Sequence, residues 1–198
     1  HRQGAVVGEE KTKELVGRIE KESIRMSSLV EDLLLLARLD QSREMAQDPV
    51  DLNALLTEAV ASAKAAGPNH SIELSLPSAE VFVLGDSERI HQVVANLLAN
   101  ARTHTPNGSQ IKVSLEQGVA ETIISVNDNG PGLSESDQER IFERFFRADP
   151  SRARNSGEGS GLGLSIVDAV MKAHGGYVSV QSKLGEGATF KLHFLNKD

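Results

Sequence analysis

The groups in this chain whose types and spacing could do chemistry are one carboxylate and two amides set among glycines. Asp128 ends an apolar stretch and is followed at once by Asn129-Gly130-Pro131-Gly132. A carboxylate fixed at a strand end can accept a hydrogen bond from an exocyclic amine, and glycines let a flat base approach the backbone closely. Taken alone, the stretch reads equally well as an ordinary Asp-Asn-Gly turn. Further on, Gly159-Ser160-Gly161-Leu162-Gly163 precedes a helical pattern that begins near Leu164. Amides of such a turn, added to a helix N-terminus, attract an anion without net charge. The bland reading is a flexible loop ahead of a helix. Asn96 and Asn100 are four residues apart and share one helix face, and His104 continues the line. Two neutral oxygen ligands suit Mg²⁺, which keeps waters and takes further ligands from phosphates. Without context they are a pair of surface amides. His70, His91, His174 and His193 add no short metal-ligand spacing.

In this order the blocks read as a nucleotide pocket, and the familiar alternatives fail. A P-loop needs Gly-Lys before Ser or Thr, and Gly-Lys never occurs. A dinucleotide fingerprint begun at Gly159 or Gly161 would put its last glycine on Leu164 or Ile166. The net charge of −7 argues against a nucleic-acid binder, and it leaves a phosphate ligand dependent on local positive groups and amides. With no cysteine there are no disulfides and no thiolate metal sites. The longest greasy run, Leu33–Ala37, is too short to cross a bilayer. The chain opens at His1 without Met, so the expectation is a fragment, a processed product or a tagged protein.

The 198 residues suffice for one domain and an extra element. From about Glu9 to Asp40, Leu15, Ile19, Met26, Leu29, Leu33 and Leu36 follow steps of four and three, with Glu22 at the one polar position, and predict a bundle or dimer helix. Gln41–Asp51 reads as a linker. Helices are expected from Asp51 or Asn53 to Ala66, from Ser87 to Thr103, briefly after Ser134, and from Gly163 to His174. Strands are expected over Ser71–Leu76, Val81–Leu84, Ile111–Leu115, Thr122–Val126, Tyr177–Gln181 and Thr189–Phe194. Asp149–Glu158 lacks an apolar run and reads as a mobile loop. The fold class is therefore α/β: a two-layer sandwich of mixed sheet and helices, preceded by one long helix.

This set resembles the ATP-binding catalytic domain of bacterial two-component sensor histidine kinases. The family's asparagine block is matched by Gln92–Ala101 with His104-Thr105-Pro106. Its first glycine block is matched by Asp128–Gly132, its phenylalanine block by Phe142–Arg147 and its second glycine block by Gly159–Leu164. A family-like close follows at Gly185–Phe190, and Ser28–Asp40 looks like the second helix of the dimerisation domain. The likeness covers essentially the whole chain, and four blocks in order make it specific.

The resemblance implies a Bergerat-type ATP-binding fold at 48–198, and at 1–47 a partial dimerisation domain in which His1–Gly8 is the tail of the first helix and the loop after it. It implies ATP and Mg²⁺ as cofactors. Asn96 and Asn100 would work at the metal and the phosphates, with Asn100 the metal ligand. Asp128 would bind the adenine amine, Gly130 and Gly132 would shape the base pocket, and His104 would lie against the nucleotide. Arg144 and Arg147 would contact phosphates, and Asn96, Asn100 and Arg144 would be the catalytic set. Gly159, Gly161 and Gly163 would hinge a lid, with Leu162 and Thr189 completing the cofactor-binding residues. The implied function is γ-phosphoryl transfer to a histidine on a missing dimerisation helix, for relay to a response-regulator aspartate. The parent would be a homodimer, and this piece the cytoplasmic domain of a bacterial plasma-membrane receptor, touching the membrane only through upstream segments.

The chain departs from the family pattern twice. Thr103 stands where a basic residue is common, and the phosphoacceptor block is absent, since His1 is followed by Arg2-Gln3-Gly4. Two alternatives remain at this point. An anti-sigma-type serine kinase would yield acid-stable phosphoserine. A nucleotide-sensing dimerisation module would transfer nothing.

Overall fold

The computed structural model describes residues 2–40, 46–67, 69–148 and 160–196. Helix α1 (Arg2–Asp40) leads into strand β1 (Asp48–Asp51) and helix α2 (Leu52–Ala66). Strands β2 (Ser71–Ser75) and β3 (Phe82–Gly85), helix α3 (Ser87–His104) and the hairpin of β4 (Gln110–Gln117) and β5 (Glu121–Asp128) follow. Then come a short helix α4 (Glu135–Arg140), helix α5 (Gly163–Ala173) and the hairpin of β6 (Tyr177–Lys183) and β7 (Gly187–Leu195).

Five strands form one mixed sheet in the order β2-β4-β5-β7-β6. Only the β2–β4 pair is parallel; β4–β5, β5–β7 and β6–β7 are antiparallel. Alternation decides which side is core. Ile111, Val113 and Leu115 on β4, Ile124 and Val126 on β5, and Phe190, Leu192 and Phe194 on β7 are all buried. They pack with the apolar faces of α2, α3 and α5 into one core: Leu52, Leu56, Ile90, Leu97, Leu98, Ile166 and Met171 are among its fully buried side chains. The expected two-layer sandwich with a mixed sheet is what forms.

Side-chain caps set the helix starts. The Asp51 carboxylate accepts from the Asn53 and Ala54 amides, Asp86 from Arg89 and Ser134 from Asp137, each satisfying donors that the first turn leaves open. The sequence reading differs from the structure in two places here. Asp48–Asp51 is not linker but strand β1, paired antiparallel with β3. Pro49 hides it from pattern reading, yet a two-stranded ribbon tolerates the missing N–H. And α1 is continuous from Arg2, so no loop separates 2–8 from the helix.

The seam of α1 divides. Leu35 and Leu36 are buried, Leu29 and Leu39 pack against the core, and α1 touches α5. Leu15, Ile19, Met26 and Leu33 of the same seam remain exposed, with Val16, Ile24, Val30 and Leu34 beside them. The last turns of α1 thus belong to the sandwich, and the rest of its apolar surface has no cover among the described residues. No helix among the described residues is long and apolar enough to cross a membrane.

Candidate nucleotide site

Asp128 is the last residue of β5 and continues the inward row Thr122, Ile124, Val126, so its carboxylate sits at the end of the core rather than on the surface. It is 6% exposed. Its Oδ1 accepts from the Gly130 amide at 2.8 Å, an Asx-turn that aims the group. Burial pushes its pKa up. The Gly130 and Ala188 backbone hydrogen bonds and the nearby His104 oppose the shift without cancelling it.

The other half of the site lies between two helices. Asn96, half-buried on α3, donates through Nδ2 to the Gly163 carbonyl at 3.4 Å, which sets α3 across the start of α5. Asn100, also half-buried, stands one turn further along the same face, and His104 ends the helix exposed. The N-cap of α5, Leu162, makes no side-chain cap bond, and no acid occupies the first turn. A helix start without a capping side chain or a carboxylate presents its amides to an anion.

These residues fit a magnesium nucleotide. A buried carboxylate at one end suits an amine-bearing base, and uncapped amides beside two asparagine oxygens suit phosphates and their cation. Among the described residues no cluster of three His, Cys, Asp or Glu could hold a metal. A cation here would rest on neutral oxygens and on the phosphates, as Mg²⁺ commonly does.

The comparisons with known proteins point to an ATPase domain. Residues 85–198, more than half of the chain, match the family described as histidine kinase-, DNA gyrase B-, and HSP90-like ATPase. The chain belongs to this ATPase family. It is 48% identical over 170 residues to the probable sensor histidine kinase TcrY of Mycobacterium tuberculosis, covering 86% of this chain and 36% of that protein. It is 38% identical over 173 residues to the sensor-like histidine kinase SenX3 of Mycolicibacterium smegmatis, covering 86% and 45%. The chain thus spans less than half the length of these relatives. Among solved structures, the mycobacterial sensor histidine kinase MprB superposes with a TM-score of 0.66 at 28% identity, covering 76% of this chain and 97% of that one. Full-length ShkA in complex with AMPPNP gives 0.73 at 30% identity, covering 88% and 36%.

Within this ATPase domain α3 links the two halves: Asn96 bonds to Gly163 at the start of α5, and His104, at the end of the same helix, lies near Asp128, which accepts from Gly130. Arg144 and Arg147 lie on the segment after α4, Arg144 exposed and Arg147 half-buried. That segment is tied to the second glycine block: the Phe145 amide donates to the Gly161 carbonyl at 2.9 Å. Gly159 and the expected loop Asp149–Glu158 lie outside the described residues.

One assignment changes, and three others gain a structural setting. Thr189 does not reach the site. Strand alternation sends it to the sheet's outer face, where its hydroxyl accepts from Asn127 Nδ2 at 2.7 Å, and the residue paired with Asp128 is Ala188. Leu162 is fully buried, so its side chain is a core anchor, and only backbone remains for a ligand. Gly163 is the first residue of α5. Gly132 serves the scaffold: its φ is +69°, and a Cβ there would stand 2.1 Å from the Lys183 carbonyl oxygen.

Two residues escaped the sequence reading. Gly187 supports Asp128 from the β7 side, with a signal only in the Gly-Glu-Gly close. Phe145 takes φ 63°, a left-handed backbone rare for a phenylalanine, and nothing in its residue type announces it.

Proposed function

We propose that this domain binds Mg-ATP and transfers its γ-phosphoryl group to a histidine outside these residues, as the catalytic part of a two-component sensor histidine kinase. The observation that carries this reading is the corner where the asparagine face of α3 crosses the uncapped start of α5, with the buried Asp128 carboxylate closing the other side.

In this reading Asp128 accepts the adenine amine, while Gly130 holds the carboxylate in place. The amides opening α5 bind phosphate oxygens, and Asn96, Asn100 and His104 line the face opposite. Asn100 supplies an oxygen to the cation. When bound, Mg²⁺ neutralises charge on the β- and γ-phosphates. Arg144 and Arg147 supply positive charge to the phosphates in a chain of net −7. The protein's own work is positioning and charge stabilisation, which is what phosphoryl transfer chiefly requires.

The relatives' names as sensor histidine kinases support a response-regulator aspartate as the final acceptor and a bacterial membrane receptor as the parent. Dimerisation through α1 is supported by its uncovered stripe of Leu15, Ile19, Met26 and Leu33. Residues 1–47 are then the dimerisation part and 48–198 the catalytic part.

Calorimetric titration tests the binding. ATP with Mg²⁺ should bind more tightly than adenosine, and EDTA should reduce ATP affinity while leaving adenosine unchanged. Equal affinity for both ligands in both conditions would remove the phosphate and cation half of the site.

A further inference from the structure

His174 caps α5 at the end away from the nucleotide corner, and both of its ring nitrogens are engaged. Nδ1 lies 2.8 Å from the Val170 carbonyl oxygen, which can only accept, so Nδ1 carries the proton. Nε2 lies 3.0 Å from the backbone nitrogen of Asp86, which can only donate, so Nε2 is bare. The two partners fix a neutral imidazole in one tautomer. The ring is seated on purpose: a Cβ at Gly85 would come within 2.6 Å of His174 Cδ2, and Phe194 meets the ring edge-on at 6.5 Å.

Asp86 is the N-cap of α3, the helix that carries Asn96 and Asn100. Helices α3 and α5 are therefore joined by two polar ties. At the working end Asn96 donates to the Gly163 carbonyl, and at the far end Asp86 donates to His174. Apolar packing holds the helices together ridge into groove but is non-directional, so a directional hydrogen bond at each end adds selection for one register. A slip of one residue moves a helix about 1.5 Å along its axis. A shift of about 1 Å at a phosphoryl-transfer site is enough to cost orders of magnitude in rate.

We infer that His174 is a positioning residue for the phosphate half of the site: its bare Nε2 pins the register of α5 against α3, so that the amides opening α5 face Asn96 and Asn100. This rests on the nucleotide reading above. The base half, built on Asp128 and β5, does not depend on it.

The test compares wild type with His174→Phe, which keeps a ring and loses the acceptor, and His174→Gln, which keeps an acceptor. Nitrogen-15 NMR of the nucleotide-free wild type should show His174 as the Nδ1–H tautomer. His174→Phe should lose about tenfold in Mg-ATP affinity while adenosine affinity stays within about twofold, and His174→Gln should recover most of the loss. An Nε2–H tautomer, unchanged Mg-ATP affinity in His174→Phe, or equal losses for ATP and adenosine would overturn the inference. If wild type binds neither ligand, the nucleotide reading fails instead, and the tautomer alone decides whether the tie exists.

Discussion

Gly187 stands directly against the backbone of Asp128: a Cβ at position 187 would lie 1.9 Å from the Asp128 carbonyl oxygen. The proposed adenine-binding carboxylate is thus held at the β5–β7 junction by a close approach that only glycine permits. Gly187 also has φ +87°, so two independent restrictions meet at one residue. Gly187→Ala should lower stability by about 2–4 kcal/mol and weaken adenosine binding. Gly185 is the control. Its φ is +82°, but a Cβ there meets nothing within 4 Å. Gly185→Ala should cost only about 1 kcal/mol and leave binding intact. Denaturant titration of both variants checks the difference, and equal costs would mean that the contact with Asp128 yields.

Asp128 itself links binding to pH. Burial raises its pKa in the folded chain, so the folded state holds the proton more tightly than the unfolded one. Stability from this group therefore falls as pH rises from the ordinary aspartate range through the raised value, and stays lower above it. Asp128→Asn removes the ionisation and keeps an oxygen for the Gly130 amide. The variant should be more stable than wild type at neutral pH, with the advantage vanishing in acid below the ordinary aspartate range. It should bind ATP roughly ten- to a hundredfold more weakly. Thermal melts across pH and calorimetry on the same protein read both halves, and a variant destabilised at neutral pH would contradict the linkage.

The Asn96–Asn100 face can be separated from the base pocket. Asn100→Ala should weaken ATP in the presence of Mg²⁺, with little change for adenosine or for ATP in EDTA. A uniform loss across all conditions would assign Asn100 to packing.

The end of α1 is a structural matter with a functional consequence. Leu36 is 1% exposed within the common core although it belongs to the long helix. Leu36→Ala should cost about 2–5 kcal/mol. Leu33→Ala, three residues away and 40% exposed, should cost far less in the isolated monomer. Urea denaturation of the two variants distinguishes a helix end built into the domain from one merely attached to it.

Much of this was legible from residue pattern. The alternation from Thr122 to Asp128 gave strand β5 and put a carboxylate on its inward row, and the four-residue spacing of Asn96 and Asn100 gave their shared face. The rest depended on partners distant in sequence. The resemblance puts Thr189 among the cofactor-binding residues, but a strand reverses sides at each residue, and the inward neighbour of Asp128 is Ala188. Leu29 and Leu36 fit a bundle seam with Leu15 and Ile19, and only the fold reveals that the first two pack into the common core. His174 reads as a helix-stop residue until Asp86, 88 positions away, is found against its ring. The left-handed Phe145 is fixed by its pairing with Gly161, which composition does not encode.

The most direct test of the central claim is phosphoryl transfer from labelled ATP. This chain is incubated with Mg²⁺ and labelled ATP, first alone and then with a separate helix pair carrying an acceptor histidine. In the chain itself His174 and His193 have both ring nitrogens hydrogen-bonded, and His104 is assigned to the nucleotide. Label is expected on the added helix pair, lost in acid as phosphohistidine is, and slow to form because no covalent link raises its effective concentration. Stoichiometric acid-labile label on this chain alone, or label that survives acid, would contradict it.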